Sequence, residues 1–82
     1  MGFREDQIEF KGSEFEKWLL RKEETGTTGY WVKDASGREG AQQLAPQSGE
    51  YYEVMPDGEV RYYRNGPSDK YERVRQLKRQ RR

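Results

Sequence analysis

Pro56, Asp57 and Gly58 stand in succession between two runs of β-branched and aromatic residues, and they restrict this chain more than any other stretch. Proline fixes φ at about −65°, where a first turn position needs it, and glycine accepts the positive φ that closes a three-residue hairpin loop. That loop sets a register: Met55 faces Glu59, Val54 faces Val60, Glu53 faces Arg61, Tyr52 faces Tyr62, Tyr51 faces Tyr63 and Glu50 faces Arg64. Each aromatic, β-branched or opposite-charge pair contributes a few tenths to about 1 kcal/mol. A two-residue Asp57-Gly58 turn would set Val54 against Arg61 and Glu53 against Tyr62, and those pairs would be lost. Because opposed residues share a face, Tyr52, Val54, Val60 and Tyr62 form one side of the ribbon, assigned to the core. Tyr51, Glu53, Arg61 and Tyr63 form the other.

The remaining elements are read around this hairpin. Ile8 and Phe10 alternate within residues 7–11 as in a short half-buried strand. Ser13 followed by Glu16 has the spacing of a capping box, and Phe15, Trp18 and Leu19 make an apolar stripe, with Leu20 pointing elsewhere. A helix over 14–23, ending before Thr25-Gly26, follows. Residues 29–33, GYWVK, have strand composition, and Asp34 to Gly37 suits a turn, so the chain from Arg38 returns beside that strand. Residues 39–49 show neither period, contain Pro46, and read as a mobile loop pinned by Leu44. Asn65-Gly66-Pro67 breaks the second hairpin strand. Asp69 to Glu72 offers another capping box for a helix over 69–80, whose Tyr71, Val74 and Leu77 would dock on the sheet. The expected architecture is α+β: a small antiparallel sheet of three to five strands centred on the 51–64 hairpin, packed by an N-terminal amphipathic helix and a basic C-terminal helix. Residues 1–77 form a single small domain, and 78–82 a basic solvent-exposed tail.

The core of such a domain must be aromatic. Leu, Ile, Val and Phe make up only roughly 15% of the chain, a level at which disorder competes with folding. Two Trp, six Tyr and a net charge of only +1 argue for a folded body. The chain has no Cys and no His, so neither a disulfide framework nor an ordinary zinc site is available. No apolar run approaches the roughly 20 residues that span a bilayer, and the expectation is a cytoplasmic protein without membrane partners.

The small net charge conceals a segregation: residues 1–24 sum to −2, 25–60 to −4 and 61–82 to +7. Catalysis is not indicated. The four serines have no histidine base, and Gly26-Thr27-Thr28-Gly29 lacks the lysine and spacing of a phosphate loop. Asp57 and Glu59 are explained by turn chemistry better than by a hard cation. No cofactor or small-molecule substrate is called for. The functional candidates are instead Lys70, Arg73, Arg75, Lys78, Arg79, Arg81 and Arg82, dense enough to neutralise several phosphates of a nucleic acid. Arg61, Tyr63, Arg64 and Trp31 are secondary contacts, Trp31 only if Tyr30 and Val32 are the residues that face the core. The first expectation is a small nucleic-acid-binding accessory protein of bacterial or phage type. The alternative is a protein-interaction module, an inhibitor or assembly factor, that docks these cations and aromatics on an acidic protein surface. A third arrangement, the basic tail of one copy on the acidic body of another, would give a homo-oligomer.

Overall fold

A computed structural model describes residues 12–66 and 69–79. One helix, α1 (Ser13–Thr25), precedes five strands: β1 (Gly29–Lys33), β2 (Glu39–Gln42), β3 (Gly49–Val54), β4 (Glu59–Gly66) and β5 (Glu72–Gln76). The strands form one open antiparallel sheet in the order β2-β1-β3-β4-β5. The α+β class and the antiparallel sheet are therefore as expected. The strand expected at residues 7–11 lies outside the described residues.

The central hairpin has the register its turn dictates: Tyr51 pairs with Tyr63, Tyr52 with Tyr62, Glu53 with Arg61 and Val54 with Val60. Its loop is closed by Met55 N–H to Glu59 O at 2.8 Å and Gly58 N–H to Met55 O at 2.9 Å, with Gly58 at φ 94°. The register slips beyond Tyr51, so Glu50 does not face Arg64 alone; β4 spends an extra residue there before Gly66 pairs with Gly49. Glu50 instead accepts the Tyr62 hydroxyl at 2.9 Å.

Helix α1 lays Phe15, Trp18 and Leu19 on the sheet face made by Trp31, Tyr52, Val54, Val60, Tyr62, Val74 and Leu77. This core is aromatic at its centre: the Phe15 ring lies 4.7 Å from Tyr52 and 5.6 Å from Trp31, and Trp18 lies 5.3 Å from Trp31. Leu20 is exposed, as its place off the stripe requires. Gly26 ends the helix at φ 67°, its N–H bonded to Lys22 O at 2.8 Å. The start differs from the expectation. Gly12 occupies the cap position, Ser13 is the first helical residue, and no side chain caps the end. Glu16 cannot close a capping box, because its carboxylate is held by both Nη atoms of Arg75 at 3.2 Å.

Three further corrections come from the sheet. Residues Glu39–Gln42 are β2, paired with β1 as the Asp34–Gly37 turn implies, so only 43–48 remain a loop, and Leu44 is exposed and pins nothing. The Asp34 carboxylate holds that turn by accepting Ser36 N–H, Ser36 Oγ–H and Arg38 N–H. Trp31, not Tyr30 or Val32, faces the helix; its indole Nε1 donates to Glu39 at 3.1 Å, and it is not an outward contact residue.

The largest departure is at the C-terminus, where the segment read as a helix over 69–80 contains strand β5 on the free side of β4. Two observations account for it. Pairing with β4 carries Val74 into the core beneath α1, which the chain needs with so few aliphatic residues. The register also shifts between Val60 and Arg61, where β5 carries an extra residue, so Val74 is buried and Arg75, opposite Val60, also reaches α1. The bulge resets the alternation and brings Leu77 to the same face as Val74. A period of two interrupted by a bulge thus reads as a period of three in sequence, which is what a helix stripe looks like.

Candidate binding surface at the β4–β5 edge

Placing β5 at one edge of the sheet places the cations that follow Val60 there as well. Their alternation then divides them. Arg73 stands opposite Arg61 on the face away from α1, and both belong to the same surface as Tyr51, Glu53 and Tyr63. Arg75 goes to the helix side and pairs with Glu16. Arg64 is exposed near the end of β4, its guanidinium 5.3 Å from the Tyr62 ring. Lys70 is exposed just before β5.

The face away from α1 is ordered by a row of tyrosines running across the strands. Ring centroids are 5.9 Å apart for Tyr30–Tyr51, 4.7 Å for Tyr51–Tyr63 and 5.5 Å for Tyr63–Tyr71. The Glu53 carboxylate accepts the Tyr30 hydroxyl at 3.1 Å and the Tyr63 hydroxyl at 2.8 Å. Burial and that bond to Glu53 push the Tyr63 pKa up to about 12. Arg61 donates to Glu59 at 3.4 Å and lies 4.2 Å from the centre of the Tyr71 ring. Burial alone would lower its pKa, but hydrogen bonds to Tyr63 and Glu59 outweigh that and raise it, so Arg61 is a permanent cation. Tyr51 and Tyr63 are buried within this face, whereas Tyr71 is 41% exposed.

At the sheet end, Tyr62, Arg64, Asn65, Lys70, Tyr71 and Glu72 line an open cleft of about 390 Å³. A wider cleft of about 590 Å³ beside Trp18 carries Arg21 and Lys22, but it sits at the carbonyl end of α1, where those cations complement the helix dipole. Arg64, Lys70 and Arg73 are exposed at the other side of the sheet, on the β4–β5 edge.

Beyond β5, Lys78 is exposed while its backbone N–H donates to Glu23 at 3.2 Å. Arg79 is half-buried: Nη1 donates to Lys22 O and Nη2 to Met55 O, both at 3.0 Å. The chain therefore stays on the body past Leu77, and Arg79 serves the fold. Arg81 and Arg82 lie outside the described residues. Tyr71, assigned from sequence to a docking stripe, is the residue that sequence reading missed at this surface; the signal for it was Tyr71 and Arg73 at strand spacing.

Among the described residues there is no group of three or more acidic side chains placed to hold a metal ion, and no helix long and apolar enough to cross a membrane. Comparison of the chain with protein-family models, with curated proteins and with solved structures found no match.

Proposed function

We propose that this chain is a non-enzymatic binding protein that engages nucleic acid through its phosphate backbone, using Arg64, Lys70 and Arg73 at the β4–β5 edge. The observation that carries the reading is the strand order: with β5 outermost, exposed cations from β4, β5 and the approach to β5 gather at one margin of the sheet. Cations so grouped neutralise neighbouring phosphates and release their counterions. Docking on an acidic protein is the competing reading. It draws on the same cations and on the edge position of β5, which suits strand addition by a partner.

Fluorescence anisotropy with labelled oligonucleotides over a salt series tests the proposal. Three phosphate contacts predict a log–log slope of about −2 for a single strand, or about a twentyfold loss of affinity between roughly 50 and 200 mM salt. No binding at the lower salt removes the nucleic-acid reading and leaves the acidic-protein reading.

A further inference from the structure

Resting on the nucleic-acid reading, we infer that the β4–β5 edge takes a single strand, with one base stacked on Tyr71 and the adjoining phosphates on Lys70 and Arg64. Tyr71 is the tyrosine of the row that keeps a large exposed surface. Arg61 covers one face of its ring at 4.2 Å, and Tyr63 flanks it at 5.5 Å with the planes at 45°, so the accessible side is the face turned away from Arg61. A base on that face extends a guanidinium–ring stack that is already assembled, and stacking accepts any base because each has a π-face. Lys70 and Arg64 line the same cleft as Tyr71, beside the stacking position, where the sugar-phosphate chain of the stacked nucleotide must run. A duplex offers no base face to Tyr71, since its bases are stacked on one another and present only edges in the grooves.

The test is anisotropy of the full chain with a labelled single strand of roughly 12 nucleotides, the matching duplex and heparin as a polyanion without bases. Wild type is compared with Tyr71→Phe, Tyr71→Ala and Arg64→Ala, each first checked for an unchanged thermal midpoint. The single strand binds at least about tenfold more tightly than the duplex. Tyr71→Phe keeps that affinity, and Tyr71→Ala loses about five- to hundredfold with the salt slope unchanged. Arg64→Ala lowers the slope by about 0.7. Equal binding of single strand, duplex and heparin, with Tyr71→Ala indistinguishable from wild type, overturns the stacking inference and leaves phosphate binding standing. Absence of binding to every nucleic acid overturns both. Should Tyr71→Ala melt early, Tyr71→Leu replaces it: a retained fold with single-strand affinity intact overturns the inference, and selective loss supports it.

Discussion

Arg79 separates a chain that stays on its body through residue 79 from one that leaves it at Leu77. Its guanidinium bridges the last turn of α1 and the start of the β3–β4 turn, with one bond to Lys22 O and one to Met55 O. A hydrogen bond from a charged donor is worth about 1.5–3 kcal/mol net, and a half-buried guanidinium keeps part of its hydration, so the pair is worth about 2 kcal/mol. For a domain of this size that is a fall in melting temperature of roughly 8–16 °C for Arg79→Ala. Arg79→Lys reaches one carbonyl and loses about half as much. Exposed Lys78→Ala changes stability by no more than about 0.5 kcal/mol. Thermal and urea unfolding followed by the fluorescence of Trp18 and Trp31, both in the core, measures all three. An Arg79→Ala variant that melts within about 2 °C of wild type refutes the bridge, and with it the placement of residues 77–79 on the body.

Two further outcomes test the sheet face away from α1. A Cβ on Gly66 overlaps the Tyr51 ring and comes within 2.8 Å of its hydroxyl oxygen, so Gly66→Ala must displace a ring stacked on Tyr63. The expected cost is about 2–3 kcal/mol in urea unfolding, and a neutral substitution contradicts the row of tyrosines. Tyr63, with its pKa at about 12 in the fold, ionises at about 10 in the unfolded chain. The folded state keeps a proton that the unfolded state releases, so this contribution is complete below about pH 10 and is lost as the pH rises toward 12. Phenolate absorbance of native and urea-unfolded protein measures it, and Tyr63→Phe removes a component at about pH 12 from the native titration.

The hairpin was legible in sequence because its turn residues and its cross-strand pairs demand the same register, and the helix because Phe15, Trp18 and Leu19 have one period and Gly26 ends it. Where local chemistry allowed two answers, tertiary pairing chose. GYWVK satisfies either parity, and burial of Trp31 against Phe15 and Trp18 decided it. Leu44 is the largest apolar residue of its loop, yet strand β2 ends before it and carries the pairing, and Leu44 stays exposed. Val74 and Leu77 at a spacing of three gave no hint of a bulge, because a bulge is specified by the partner strand and leaves no residue signature of its own here. At the candidate site, Arg61, Arg64, Lys70 and Arg73 were identified by charge alone. Which of the cations remain together depended on strand parity, which sent Arg75 to Glu16, and on the path of the chain beyond β5, which brings Arg79 to backbone carbonyls.

The claim that the β4–β5 edge is the binding surface is tested most directly by reversing charge at two places on the same fold. One variant carries Arg64→Glu, Lys70→Glu and Arg73→Glu; the other carries Lys17→Glu, Arg21→Glu and Lys22→Glu on the helix. Affinity for a single-stranded oligonucleotide is measured at about 50 mM salt, where phosphate contacts are strongest. The edge variant is predicted to lose at least about twentyfold while the helix variant keeps most of its affinity. Equal losses in the two variants, or a loss confined to the helix variant, contradict the account.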